Sequence, residues 1–84
     1  MAAYDVDHDV HLLVEGLKRI GKEQPDGTFK TTFIQVFKDE VLEQQLESLV
    51  GTLKAARKKG YIDFKGQMLL QGAHDSVEIT LLNP

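Results

Sequence analysis

Three short strings in this 84-residue chain bring together residue types that could do chemistry. Gly16-Leu17-Lys18-Arg19-Ile20-Gly21-Lys22-Glu23 has the glycine and lysine spacing of a phosphate-binding loop, whose backbone N–H groups cradle phosphate while a Ser or Thr hydroxyl holds magnesium. Glu23 stands where that hydroxyl must be, and the string closes a helix where a true site needs a loop between strand and helix. Asp5-Val6-Asp7-His8-Asp9 alternates its acids as a calcium loop does, but Val10 takes the place of the turn-making glycine and Gly16 that of the bidentate glutamate. Carboxylates at a helix start, capping its free N–H groups, explain these acids better. His8 and His11 share one helical face, yet a stable transition-metal site wants three or four ligands and only His74 remains. There is no cysteine, Ser48 lies beside an apolar stripe and Ser76 in a turn, so no activated nucleophile can be assembled. Asp63 and Asp75 could pair only if the fold brings them together. The expectation is a protein without catalytic residues, cofactor, metal or small-molecule substrate.

The elements that would position any site follow from periodicity. Leu42, Leu46, Leu49, Val50, Leu53 and Ala56 recur at steps of three and four, which predicts one core helix from Leu42 to Gly60. Its acids Glu43 and Glu47 lie early and its bases late, complementing the helix dipole, and Gly60 can take the positive φ that ends it. Gly51 falls inside this predicted helix, at a cost of about 1 kcal/mol relative to alanine, which points to close packing there. A first helix runs from Val6 through Val10, Leu13, Val14, Leu17 and Ile20, with Gly21 as its stop. Lys22 to Gly27 carries Pro-Asp-Gly turn punctuation, and Thr28 to Thr31 suits a short strand forming one edge of a sheet. A short second helix opens at Phe33 with Thr32 and Gln35 spaced as a capping box, presents Phe33, Val36 and Phe37, and breaks at Lys38-Asp39-Glu40. Beyond Gly60 the period becomes two: Tyr61–Phe64 predicts a strand, Lys65-Gly66 a tight turn, Gln67–Gln71 the return, Gly72–Ser76 a loop and Val77–Leu81 a further C-terminal strand. Helix, strand, helix, helix and then a small antiparallel sheet is an α+β, winged-helix-like order.

The totals bound the rest. One domain spanning residues 1–84, its first four residues flexible, is expected from this length, and such a chain buries only about 60–65% of the surface it exposes when unfolded. Forty-two per cent hydrophobic residues and two prolines describe an ordinary folded domain. The acidic opening MAAYDVDHDV is unlike a secretory leader, and no apolar run reaches the roughly 20 residues needed to span a bilayer. A cytoplasmic protein with no membrane partner is expected. A formal charge of −3 argues against general affinity for phosphate backbones.

What remains is surface. Lys54, Arg57, Lys58, Lys59 and Lys65 can form one basic patch, because the core helix runs straight into the first strand and its turn. Such charges serve equally as solvated complements to the helix dipole or as a dock for an acidic partner. Gln71, Gly72, His74 and Asp75 make a shaped loop that serves equally as a plain connection or as part of a contact surface. A winged helix also raises duplex binding through its third helix, a reading handicapped by Glu43 and Glu47 in that helix's leading half.

Leu49-Val50-Gly51-Thr52-Leu53-Lys54-Ala55-Ala56-Arg57-Lys58-Lys59, then Leu69-Leu70-Gln71-Gly72-Ala73-His74-Asp75 and Val77-Glu78-Ile79-Thr80-Leu81-Leu82, closely resemble the Costars family. Val6-Asp7-His8-Asp9-Val10 with Leu12-Leu13-Val14-Glu15 is similar to that family's first helix, and Gln67 departs from the glutamate that precedes its LLQG string. Stand-alone Costars proteins are small and cytosolic, and the same domain ends the actin-binding Rho-activating protein of striated muscle. The resemblance implies a winged-helix-like fold and a role in regulating the actin cytoskeleton, through actin or an actin-turnover factor such as cofilin. It brings no residue-level binding site with it. The patch and the loop are therefore the expected partner-binding surface, with a nucleic-acid-binding domain as the alternative.

Overall fold

The computed structural model describes residues 6–66 and 72–82. Helix α1 (Val6–Ile20) is followed by strands β1 (Lys22–Glu23) and β2 (Phe29–Thr32), helices α2 (Phe33–Lys38), α3 (Glu40–Gln45) and α4 (Leu49–Lys58), and strands β3 (Ile62–Asp63) and β4 (Glu78–Leu81). The antiparallel sheet has the order β1-β2-β4-β3, so the chain's last strand lies in the middle of the sheet. The strand before α2 pairing with the last strand, which in turn pairs with the strand after α4, is the winged-helix arrangement. The expected return strand at Gln67–Gln71 lies outside the described residues, as does the N-terminal stretch before Val6.

The apolar stripe of α1 works as its spacing demands: Val10, Leu13, Val14 and Leu17 are buried, and the Gly21 N–H closes the helix on the Leu17 carbonyl at 2.8 Å. They meet Phe33 and Val36 of α2, Leu42 of α3, Leu53 and Ala56 of α4, and the inward residues Ile62, Ile79 and Leu81 of the sheet. In β4 the alternation is the expected one, with Ile79 and Leu81 facing the helices.

Four predicted features are corrected. The single helix from Leu42 to Gly60 is two, and the domain has four helices instead of three. Leu46 (φ −96°, ψ 137°) and Ser48 (φ −144°, ψ 111°) are extended, and the Ser48 hydroxyl accepts from the Gly51 N–H at 3.1 Å to start α4 afresh. Leucines at 42, 46, 49 and 53 keep helical spacing across the break, so periodicity cannot reveal it. Gly51 consequently sits in a first turn, half-buried, and a Cβ there would meet only the Ser48 side chain.

The turn at Lys22–Gly27 is shorter than predicted because Lys22 and Glu23 form β1, paired with Lys30 and Phe29. Gly27, at φ +89°, and an Asp26 carboxylate that accepts from the Thr28 N–H and hydroxyl build the connection. β2 is therefore interior to the sheet, not an edge. The capping box is not formed: the Thr32 side chain makes no cap bond. Instead the Phe33 and Ile34 N–H groups donate to the carbonyls of Val77 (2.9 Å) and Asp75 (3.1 Å), so the loop before β4 caps α2. Lastly, Phe37 does not join the core; it is 37% exposed and packs edge-on against Phe33.

Candidate functional site

The basic residues belong to the second half of α4, its C-cap Lys59 and the turn after β3. α4 ends in a Schellman motif: the Gly60 N–H donates to Arg57 O and the Tyr61 N–H to Ala56 O, both at 3.0 Å, with Gly60 at φ +85°. This reversal aims β3 back along the helix and brings Phe64 beneath Arg57, whose guanidinium carbon lies 4.7 Å from the ring centroid. The same guanidinium donates to the Gly66 carbonyl. Arg57 therefore staples the β3 turn to α4, with a cation–π contact added to a hydrogen bond.

Lys59 is likewise engaged, 2.7 Å from Asp7 on α1, and that hydrogen-bonded carboxylate raises the ammonium's pKa above its ordinary value. Lys54, Lys58 and Lys65 are exposed and make no ion pair with any described residue. The predicted five-residue patch thus divides: two members hold the fold, and three lysines stay exposed. Lys65 also lines an open groove with Phe64, Ser76 and Val77, between the ends of β3 and β4.

The Gly72–Asp75 loop is a closed turn. Gly72 is at φ +89° and its N–H donates to the Asp75 carboxylate at 2.7 Å, while the Val77 N–H donates to the His74 carbonyl at 3.1 Å. Asp75, through its carbonyl to Ile34, ties the loop to α2. Asp75 is thus committed to structure at both its side chain and its backbone, and Gln71 lies outside the described residues. Lys65 and Ser76, from the end of the loop, line one groove together.

Periodicity missed the clamp that positions α3. Arg19, at the end of α1, grips the α3 cap residue Asp39 with two hydrogen bonds of 2.9 and 2.6 Å, and the Asp39 carboxylate in turn accepts from the Leu42 N–H at 3.0 Å. The Arg19 guanidinium holds the Asp39 carboxyl below the ordinary carboxylate value, with the Leu42 N–H adding and partial burial opposing. At the other end of α3 the buried Asp9 carboxylate accepts from the Glu47 N–H at 3.1 Å. Asp9, one of the acids at the start of α1, thus caps the α3–α4 connection. The split also removes Glu43 and Glu47 from the helix that carries the lysines, so the argument that they would face a nucleic-acid backbone from that helix falls.

Among the described residues no group of three or more His, Cys, Asp or Glu side chains is placed to hold a metal, and no helix is long and apolar enough to cross a membrane.

A small α+β winged-helix domain whose polar clusters mostly brace its own helices is a scaffold that offers surfaces. Comparison with known proteins agrees with the sequence motifs: the Costars family model matches residues 5–82. A Costars family protein of Oryza sativa subsp. indica is 49% identical over 80 residues, covering 95% of this chain and 92% of that one. The human Costars family protein ABRACL is 45% identical over 78 residues, covering 93% and 96%. The solution structure of the human HSPC280 protein superposes with a TM-score of 0.83 at 44% identity, covering 95% and 94% of the two chains. The chain belongs to the Costars family.

Proposed function

We propose that this protein is a non-catalytic, cytoplasmic interaction module that regulates actin organisation by binding actin or a cofilin-like turnover factor. Family membership supports the cytoskeletal setting. The observation that carries the surface is the division of the basic cluster, which leaves Lys54, Lys58 and Lys65 exposed and unengaged by described acids around the α4–β3 junction. Unneutralised lysines on rigid elements speed and orient encounters with a partner that presents an acidic surface.

The test is capture from cytosolic extract and co-sedimentation with actin filaments, comparing the wild type with Lys54→Glu/Lys58→Glu/Lys65→Glu. Arg57 and Lys59 stay unchanged because reversing them would break the contacts to Phe64, Gly66 and Asp7. Loss of actin or of an actin-turnover factor in the variant, with an unchanged circular dichroism spectrum, is the expected result. Equal capture by both proteins excludes the lysines. Duplex DNA binding at about 50 mM salt that disappears as salt rises would favour the nucleic-acid alternative instead.

A further inference from the structure

We propose a second docking site on this domain: the groove between α2, α3 and the head of α4 takes a short amphipathic helix whose apolar face is flanked by lysines or arginines. The floor is apolar, built from Val36, Leu42 and Leu46, with Phe37 and Leu49 forming partly open walls. Glu43 and Glu47 stand on its rim, both exposed and neither ion-paired with a described residue. Lys38, exposed beside Phe37, does not line the groove, so the two rim residues give it an acidic edge.

Size and wall type select the occupant. A cavity of about 240 Å³ lies below the roughly 300–1,000 Å³ of small-molecule sites, so it suits one or two large side chains from a longer ligand. Its lining comes from α2, α3, the α3–α4 connection and the head of α4, and none of these residues belongs to a β-strand, which disfavours strand addition and leaves the helix-in-groove mode. Charge complementarity with Glu43 and Glu47 then fixes the flanks as basic. The groove is also held in shape before binding: α3 is tied to α1 at Asp39 by Arg19 and just past its other end at Glu47 by Asp9. Fixing the walls in advance reduces the ordering cost of association.

This site is independent of the lysine surface. Leu49 and Lys58 lie nine residues apart on α4, about 14 Å along its axis, and Lys54, five residues from Leu49, is turned about 140° away around the helix, so the groove and the lysines occupy different parts of one helix.

The probe is a synthetic helical peptide with leucines at i, i+4 and i+7 and lysines on both flanks, titrated into isotopically labelled protein. A control peptide replaces the lysines with glutamates. Amide shifts centred on Phe37, Glu43, Leu46, Glu47 and Leu49 are expected with the basic peptide. Glu43→Lys/Glu47→Lys should weaken that peptide at least about tenfold and reverse the preference between the two peptides, while the Lys54/Lys58/Lys65 reversal leaves it unchanged. The rim residues are exposed, and Glu47 contributes only its backbone to the Asp9 bond, so the variant keeps its fold; a thermal unfolding curve checks this. No shifts at millimolar peptide, shifts confined to the end of α4, or equal binding of both peptides would overturn the assignment. Concentration-dependent shifts of the same residues without peptide would also overturn it, by assigning the groove to a second copy of the chain.

Discussion

The carboxylate of Asp9, 5% exposed in the first turn of α1, accepts a hydrogen bond from the backbone N–H of Glu47, 38 residues further along the chain. It supplies an acceptor at the point where the chain leaves helical geometry between α3 and α4. Ten residues on, Arg19 holds Asp39 at the start of α3, and between these two contacts Gly16 lets Leu42 press against the α1 backbone. α1 thus fixes α3 at both ends and the middle.

Removing the Asp9 acceptor should strand the Glu47 N–H. Asp9→Ala is expected to cost about 1–3 kcal/mol, the penalty for an unsatisfied, partly buried donor, while Asp9→Asn keeps an oxygen in place and costs less. Hydrogen exchange at the Glu47 amide is the specific readout. Protection unchanged in Asp9→Ala would show that the bond does not hold the connection.

Asp39 gives the fold a defined acid sensitivity. Its carboxyl is held below the ordinary value of 3.8, so its folded pKa is lower than its unfolded one. Such a group adds stability above the unfolded pKa and loses it as pH falls through the folded value. Asp39→Asn keeps a capping oxygen but loses the charge. The wild type should therefore exceed this variant in stability by a constant margin above about pH 5, shrinking as pH falls below about 4. Denaturant midpoints across that range test it, and a margin that persists to pH 2 would contradict the pairing with Arg19.

Gly16 makes a directional prediction. A Cβ there would lie 2.7 Å from one methyl of the buried Leu42 and 3.0 Å from two further carbons of that side chain. Overpacking of about 1–3 kcal/mol should outweigh the gain of about 1 kcal/mol from replacing helical glycine by alanine. In a Leu42→Ala background the clash is gone, and Gly16→Ala should become neutral or stabilising. Equal effects in both backgrounds would mean that α1 and α3 do not meet there.

Leu53, fully buried in α4, anchors the core. Leu53→Ala should lower stability by about 2–5 kcal/mol in chemical denaturation. A change within about 0.5 kcal/mol would place Leu53 on the surface.

The sequence by itself determined the fold class, the extent of α1, the end of α4 at Gly60, the inward face of β4 and the family. These depend on local spacing and turn chemistry, which act wherever the chain goes: a stripe at 3.6 residues needs a core, and a glycine with positive φ ends a helix. Tertiary structure alone decided the break between α3 and α4, the capping of α2 and the fate of the basic cluster. Most turn on a partner far away in sequence: Asp9 for Glu47, Val77 and Asp75 for the head of α2 and Asp7 for Lys59, while Phe64 reaches Arg57 only because the chain reverses at Gly60. Hydrogen bonds and ion pairs require proximity, not spacing, so until the chain folds an aspartate that caps its own helix cannot be told from one that caps another's.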